Sequence, residues 1–174
     1  YRRFLDGDAR AFDELLDLYQ ENLIFFLNRY VHNVTVAEDL AADTFLALIV
    51  HPRRYNFQTS LKTYLFMIGR SRALHYLRRA SRFQTAAPGE AERVASEDAA
   101  PGERLLQKEE NRALHRALDT LSEDYRTALH LVYFEEMSYA EAAGVMRKSV
   151  KQINNLVYRA KKALRAVLEK EGFG

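Results

Sequence analysis

Hydrophobic residues recur every three or four positions along most of this chain, which is the spacing of an amphipathic α-helix. The first stripe is the longest and comprises Phe12, Leu15, Leu16, Tyr19, Leu23, Phe26, Leu27 and Tyr30. No segment alternates apolar and polar residues as a half-buried strand does. The pattern predicts an all-α fold of two small helical domains, residues 1–83 and 104–174, joined by a flexible linker at 84–103.

Two further helices are predicted in the N-terminal domain. A capping box from Thr35 to Glu38 is expected to open the first. Its apolar stripe contains Leu40, Phe45, Leu48 and Ile49. Pro52 is expected to end this helix, because the residue before a proline is disfavoured in helical conformation. After a loop at 52–60, a long helix is predicted from Leu61 to about Arg82, with Leu61, Leu65, Ile68, Leu74 and Leu77 facing inward.

The linker is predicted from a change in composition. Residues 84–103 are small, interrupted by Pro-Gly pairs, and contain five acidic residues against one basic residue. Such a segment cannot bury enough apolar surface to fold alone. Its acidity is explained by solubility alone, or it keeps the segment away from DNA or mimics nucleic acid.

The C-terminal domain carries the pattern of a helix-turn-helix. Two helices are predicted first, at 105–118 and 122–134. Capping boxes then open two more, from Ser138 to Glu141 and from Ser149 to Gln152. Since only Arg147 and its neighbour separate these helices, the connection must be a sharp turn. A helical hairpin that does not bind DNA could share this outline.

The last helix has a polar and basic face that suits a DNA groove. Val150, Ile153, Val157 and Leu164 are predicted to face the core. The outward residues are Lys151, Gln152, Asn154, Asn155, Tyr158, Arg159 and Lys162. Asparagine and glutamine amides pair with adenine, and lysine or arginine with guanine or phosphate. Simple solvation is the alternative for any single one of these side chains.

Residues 53–79 interleave aromatic and basic side chains. The loop holds Arg53, Arg54, Tyr55, Asn56 and Phe57, and the helix holds Lys62, Tyr64, Phe66, Arg70, Arg72, His75, Tyr76, Arg78 and Arg79. Rings on which bases stack, combined with cations that follow the backbone, favour single-stranded nucleic acid. The alternative for Tyr64 and Phe66 is a place in the core.

An acidic cluster lies on the preceding helix, where Glu38, Asp39, Asp43 and Thr44 accompany Leu40 and Phe45. Such a surface repels DNA and favours a protein partner with a basic helix. The preference of helix N-termini for acids explains Glu38 and Asp39 but not Asp43.

Composition excludes several classes of protein. The 174 residues contain no cysteine, which excludes disulfides and thiolate metal sites and suits the reducing cytoplasm where we expect the protein to act. No apolar run reaches the ~20 residues of a membrane span, and no signal core follows Tyr1. The five histidines lack metal-ligand spacing, and no phosphate loop or nucleophile motif occurs. We therefore expect no enzyme activity, no cofactor and no metal.

Charge is unevenly distributed around a net of only +2. The segments 61–82 and 147–165 are basic and contain no acid. Two separate basic segments indicate two contacts with a polyanion, although two solvated helix faces would look the same.

The order of these motifs resembles the extracytoplasmic-function (ECF) sigma factors, two-domain members of the sigma-70 family of bacterial RNA polymerase. The N-terminal resemblance lies in FDELLDLY at 12–19, AEDLAADTF at 37–45, SLKTYLFMI at 60–68 and LRR at 77–79. The C-terminal resemblance lies in LSEDYR at 121–126, YFEEMSYAE at 133–141 and YRAKK at 158–162.

The resemblance implies three sets of site residues. The surface that grips the clamp helices of core polymerase matches Glu38, Asp39, Leu40, Asp43, Thr44 and Phe45. The part that captures and holds the −10 element matches Tyr55, Asn56, Phe57, Lys62, Tyr64, Arg70, Arg72, His75, Tyr76, Arg78 and Arg79. The part that reads the −35 element matches Lys148, Ser149, Lys151, Gln152, Asn154, Asn155, Tyr158, Arg159 and Lys162.

The sequence departs from the family pattern in a few places. Arg147 stands at the turn position that is usually glycine, so a positive φ is expected there. His75 and Tyr76 replace a common Asp-Arg pair, and Tyr64 replaces a common Trp.

The resemblance implies a sigma factor that directs promoter recognition and strand opening. Its implied partners are core polymerase, through the clamp helices and flap, promoter DNA and an anti-sigma factor. The first alternative is a stand-alone helix-turn-helix regulator of duplex DNA, which would not need the aromatic residues of 53–79. The second is a helical adaptor without a nucleic-acid role, which would not need the two acid-free basic segments.

Overall fold

The computed structural model describes residues 1–86 and 109–172, and it divides the chain into two compact units, Tyr1–Pro101 and Gly102–Gly174. All regular structure in the described residues is helical, so the all-α, two-domain prediction is confirmed. The predicted linker overlaps a helix as far as Ala86, and its residues 87–103 lie outside the described part. None of the described helices is both long and apolar enough to cross a membrane.

The described residues of the N-terminal unit form four α-helices: α1 (Arg2–Leu5), α2 (Arg10–Val31), α3 (Val34–Val50) and α4 (Leu61–Ala86). Helices α2, α3 and α4 pack against one another around a core that includes Leu23, Phe26, Leu27, Leu48, Leu65 and Phe66. The rings of Phe26 and Phe66 lie 5.0 Å apart. A core position is therefore confirmed for Phe66. Gly69 lets α2 approach α4 closely, since a Cβ there would lie 3.0 Å from a methyl group of Leu23.

The start of α3 differs from the prediction. Asn33 is its N-cap, and the Asn33 Oδ1 atom accepts a hydrogen bond of 3.1 Å from the Val36 N–H. Thr35 is already inside the helix, so the predicted capping box at Thr35 is wrong. An asparagine two residues earlier is an equally good N-cap, and the helix uses the first available one. The predicted end is confirmed, because α3 stops at Val50 before Pro52.

The connection from α3 to α4 contains a short 3₁₀ turn at Pro52–Arg54. Ser60 then caps α4, since its Oγ atom accepts a hydrogen bond of 3.1 Å from the Thr63 N–H. The helix begins at Leu61 as predicted but continues to Ala86, four residues beyond the predicted end at Arg82.

The C-terminal unit contains α5 (Glu109–Asp119), α6 (Glu123–Leu129), α7 (Tyr139–Met146) and α8 (Val150–Lys170). Helix α8 packs against the other three, and Leu118, Leu121, Leu129 and Ala160 form a core cluster. The start predicted for α5 at Leu105 lies outside the described residues.

The segment predicted as a single helix at 122–134 contains two types of helix. It is α-helical to Leu129 and continues as a π-helical turn at His130–Phe134. The His130 Nε2 atom lies 3.2 Å from the Glu135 Oε1 atom, and both side chains are 3% exposed. The His130 ring stacks on Phe134 with 5.3 Å between centroids. This buried pair fixes the corner that leads into α7.

Helices α7 and α8 form the predicted helix-turn-helix, and both capping boxes are confirmed. The Ser138 Oγ atom accepts from the Glu141 N–H at 3.1 Å, and the Ser138 N–H donates to Glu141 at 2.9 Å. The Ser149 Oγ atom likewise accepts from the Gln152 N–H at 3.1 Å. The two helices therefore have fixed N-termini, which leaves little freedom in the turn between them.

Arg147 occupies the left-handed conformation, with φ 53° and ψ 46°, so the positive φ expected at this turn is confirmed. The next amide, Lys148 N–H, donates to the Ala143 carbonyl oxygen at 3.1 Å, which completes a Schellman-type end to α7. An L-residue with a side chain is less stable than glycine in this conformation.

We expect Arg147→Gly to stabilise the C-terminal unit by about 1 kcal/mol, because glycine removes the strain of the left-handed conformation. Amide hydrogen exchange of the buried α8 residues Ile153 and Val157 measures this change. Arg147→Ala is the matched control, because it removes the charged side chain but keeps the strain. Equal exchange rates in the glycine and alanine variants would contradict the prediction.

Candidate nucleic-acid interface

One face of α8 is buried and the other is open to solvent. Ile153, Val157 and Ala160 are buried against the C-terminal unit. The seven residues predicted to point outward are all exposed: Lys151, Gln152, Asn154, Asn155, Tyr158, Arg159 and Lys162. Tyr158 is the most exposed large apolar residue of the chain's described part, at 72%. The predicted outward face of this helix is confirmed.

Val150 was predicted to face the core, but it is 49% exposed. It is the first residue of α8 and lies at the edge of the apolar arc. Leu164 is only partly buried, where it packs against the core cluster of the C-terminal unit. The buried stripe is therefore shorter than predicted, and an apolar side chain, Val150, is exposed at the start of the helix.

Three of the nine residues assigned to the −35 element have structural roles in this conformation. The Gln152 Oε1 atom accepts a hydrogen bond of 2.8 Å from the Ser149 N–H. The Ser149 hydroxyl is occupied by the Gln152 N–H in return. The Lys148 Nζ atom forms an ion pair of 3.1 Å with Asp124. Because the cap already uses the Gln152 oxygen, bidentate pairing of this side chain with adenine would compete with the cap.

The aromatic residues of the loop before α4 differ in burial. Tyr55 is only 7% exposed, and its hydroxyl donates a hydrogen bond of 2.6 Å to the Thr59 carbonyl oxygen. Burial raises the pKa of the Tyr55 hydroxyl, so the side chain remains neutral. The Tyr55 ring therefore supports the loop from inside, and its contact with nucleic acid stays a prediction.

Phe57 is the exposed ring of this loop, at 38%, and its backbone has a positive φ of 60°. Its ring lies 4.6 Å from the Tyr55 ring and 4.4 Å from the Arg2 guanidinium carbon. Asn56 is also exposed, and its Oδ1 atom accepts a hydrogen bond of 3.2 Å from the Gln58 N–H. The buried Tyr55 thus holds Phe57 at the surface.

The residues of α4 assigned to the −10 element differ in contacts and exposure. Five cations contact other groups of the protein: the Arg70 Nε atom donates to the Tyr30 hydroxyl at 3.1 Å, Arg72 lies 3.9 Å from Asp43, Arg78 donates to the Leu74 carbonyl oxygen, Lys62 lies over the Phe66 ring, and Arg79 lies over the Phe83 ring. His75, Tyr76 and Arg79 are exposed, and Tyr64 is half-buried beside Tyr55. Fewer of the residues assigned to the −10 element are therefore exposed than the sequence indicated.

Phe83 extends this surface and was not predicted. It is 64% exposed, and the Arg79 guanidinium carbon lies 5.8 Å from its ring centroid. Tyr76, Arg79 and Phe83 share one helical face because they are three and four positions apart. The sequence analysis missed Phe83 because it ended the helix at about Arg82, although the helical spacing of Tyr76 and Arg79 continues to Phe83.

The acidic cluster of α3 is only partly on the surface. Glu38, Asp39 and Asp43 are exposed and Leu40 is half-buried. Thr44 and Phe45 are buried, at 0% and 3% exposure, and the Thr44 hydroxyl donates to the Leu40 carbonyl oxygen at 2.7 Å. Both side chains face the helical core, and their assignment to the polymerase contact stays a prediction.

Three apolar residues that the sequence analysis did not assign to a site replace them on the surface. Leu46, Ile49 and Val50 are 51%, 46% and 57% exposed. They continue the helical face that begins with Glu38, Asp39 and Asp43, because residues three, four and seven apart align on a helix. We call these six residues the α3 face. An exposed apolar patch rimmed by charges is typical of a protein-binding surface.

Comparison with known protein families gives two matches. The model for Sigma-70 region 2 matches residues 14–83, and the model for Sigma-70, region 4 matches residues 111–164. Together they cover well over half of the chain, and each falls within one of the two units.

Curated relatives extend over most of the chain. The RNA polymerase sigma-H factor of Pseudomonas aeruginosa is 29% identical, with 94% of this chain and 89% of the relative covered. The ECF RNA polymerase sigma factor SigM of Bacillus subtilis is 26% identical, with 89% and 93% covered.

Solved structures show the same fold. The sigma factor RpoE from Bartonella quintana, in complex with the anti-sigma factor NepR, has a TM-score of 0.71 at 23% identity and covers 92% of this chain and 98% of its own. CnrH, in complex with the cytosolic domain of CnrY, has a TM-score of 0.65 at 25% identity, with 95% and 92% covered. The family matches, the relatives and the helix-turn-helix agree, and the chain belongs to the sigma-70 family as an ECF-type RNA polymerase sigma factor.

Proposed function

We propose that the two units engage one promoter at two points, one paired and one melted. The observation that carries this proposal is the separation of two exposed basic surfaces on different units, each with its own chemistry. The α8 face offers amides and cations without acids, which suits the edges of paired bases. Phe57 and the exposed residues of α4 offer rings and cations, which suit unpaired bases.

In the C-terminal unit, Lys151, Asn154 and Asn155 would reach base edges of the −35 element. Tyr158, Arg159 and Lys162 lie further along the same face and would contact phosphates. Gln152 and Ser149 would act by capping α8 and presenting its N-terminus to the DNA.

In the N-terminal unit, Phe57 would stack on a base flipped out of the −10 element, and His75, Tyr76 and Arg79 would follow the single strand. Unstacking a base costs a few kcal/mol, which stacking on protein rings offsets. No covalent step is part of this proposal, so the protein would act by binding alone.

The α3 face would bind the clamp helices of core polymerase. Its three carboxylates would meet a basic helix, while Leu46, Ile49 and Val50 would supply the buried centre of the contact. The assembly with polymerase places the proposed site of action in the cytoplasm.

We also propose that an anti-sigma protein restrains this factor by covering the α3 face. The similar fold of RpoE was solved in complex with the anti-sigma factor NepR, and that of CnrH in complex with the cytosolic domain of CnrY, which supports the proposal. An inhibitor of this kind should bind the Leu46→Ala variant more weakly than the parent in a titration. Unchanged affinity would show that it binds elsewhere.

Reconstituted transcription tests the function as a whole. We expect specific transcripts from a promoter only when the protein is combined with core polymerase. A stand-alone regulator, for which the helix-turn-helix alone would suffice, would instead bind promoter duplex tightly and specifically without core enzyme. Absence of binding in both assays would favour an adaptor.

We expect Lys151→Ala and Asn154→Ala each to lower promoter use by roughly 5- to 150-fold, the equivalent of 1–3 kcal/mol for a base contact. Binding to core polymerase should not change, because both residues lie on the C-terminal unit's DNA face. Run-off transcription and a core-binding titration measure the two effects. Lys170→Ala, at the last residue of α8, is the control and should behave like the parent.

If the two variants transcribed at the parental level, the assignment of base contacts to α8 would be wrong. A parallel loss of core binding would place these residues at a different interface.

We expect the double variant Asp39→Ala with Asp43→Ala to weaken core binding by roughly tenfold and to leave intrinsic promoter preference unchanged, because both carboxylates lie on the α3 face. The core-binding titration at two salt concentrations measures this effect. Asp17→Ala with Glu21→Ala is the matched control, since it removes two exposed acids at the same spacing from α2. Equal losses in the two double variants would indicate a general charge effect instead of a specific contact.

A further inference from the structure

An open pocket of about 420 Å³ lies in the N-terminal unit, where α1 meets the loop that carries Phe57. Its lining consists of two arginines, four aromatic residues and two leucines, and it contains no carboxylate. The volume is within the usual range of small-molecule sites. Five of the eight lining residues come from outside the loop and α4, so the pocket includes side chains beyond the proposed −10 residues.

Helix α1 forms one wall of this pocket although it has only four residues. A helix this short is not stable by itself and must be held by tertiary contacts. The Arg3 guanidinium forms hydrogen bonds with Asp8 and Glu14, the shortest at 2.7 Å and 2.8 Å. The Tyr1 hydroxyl donates to the Leu48 carbonyl oxygen at 2.8 Å, and the Phe4 ring lies 5.0 Å from Phe12.

The two arginines of α1 have different contacts and therefore different roles. The Arg3 guanidinium is engaged by two carboxylates and serves to fix the helix. The Arg2 guanidinium carbon instead lies 4.4 Å from the centroid of the Phe57 ring, and no described carboxylate forms an ion pair with it. Stacking on a ring leaves the edge of a guanidinium, with its N–H donors, available to a ligand.

The aromatic residues of the pocket are close enough to act together. The Tyr1 ring centroid lies 6.1 Å from that of Phe57 and 5.7 Å from that of Tyr55. Burial raises the pKa of the Tyr1 hydroxyl, so the tyrosine stays neutral and presents an uncharged ring. Rings beside a cation, in a pocket free of carboxylates, match a nucleotide: a base to stack and a phosphate to pair with a guanidinium.

We propose that α1 forms a wall of a pocket for a single extruded nucleotide of melted DNA, in which Arg2 binds the phosphate and holds Phe57 in place for the base. This inference rests on the proposed function, because the same loop is assigned there to base capture. It adds residues from a separate helix, and those residues define what enters: one nucleotide with its phosphate.

The test uses the reconstituted polymerase with promoter DNA that is already melted across the −10 element. 2-Aminopurine is placed at successive positions of the non-template strand, where its fluorescence reports on extrusion and stacking. We expect Arg2→Ala to lower affinity for this DNA roughly tenfold, as loss of a charge-assisted phosphate contact does. It should also shift the 2-aminopurine signal at one position.

The salt dependence separates a phosphate contact from a purely structural role. Loss of one phosphate contact with a single strand should reduce the slope of log affinity against log salt by about 0.7. Arg2→Lys should keep most of this slope, because it retains the charge. Arg10→Ala, which removes an exposed arginine from the first turn of α2, should match the parent in all measurements.

Parental affinity, salt slope and fluorescence in Arg2→Ala would overturn the inference about α1, while transcription by the parent would still support the proposed function. Loss of affinity with an unchanged salt slope would also overturn it, because that result indicates a structural role for Arg2. Failure of the parent itself to direct transcription would instead refute the proposed function.

Discussion

Burial of one face of α8 is the constraint on which the C-terminal unit depends. Ile153, Val157 and Ala160 must face the core, and the 3.6-residue period then forces the polar side chains out. The capping box at Ser149 fixes where the helix starts, so it also fixes which side chains stand at the end proposed to meet DNA. The outward position of the polar side chains proposed to recognise DNA therefore follows from packing of the apolar face, and no separate interaction is needed to expose them.

Burial has a different role in the N-terminal unit. There, buried side chains lie directly beneath the exposed ones and support them. Tyr55 is inside and Phe57 is outside, with 4.6 Å between their centroids. Thr44 and Phe45 are inside, and Leu46 is outside on the α3 face. Adjacent residues in the sequence thus divide between the core and the exposed surface, so one short segment stabilises the fold and presents a proposed binding site.

The sequence predicted those features that local rules determine. Both capping boxes of the helix-turn-helix could be foreseen because each depends on residues a few positions apart, whereas the positive φ at Arg147 was expected from the family resemblance. Thr35 shows the limit of such rules, since a competing cap at Asn33 took precedence. Burial of Tyr55 and Thr44, and exposure of Ile49 and Val50, depend on how three helices pack, which periodicity alone does not determine. The roles of Gln152 and Arg2 depend on single contacts that only coordinates reveal.

The central claim is that one protein contacts paired and melted DNA at the same time, through different units. Permanganate reactivity of −10 thymines, measured together with a footprint over the −35 element, tests it most directly. With core polymerase present, the account predicts reactive thymines at −10 and protection at −35 in the same complexes. Protection of both elements as intact duplex, with no reactive thymine at any temperature that supports transcription, would contradict it.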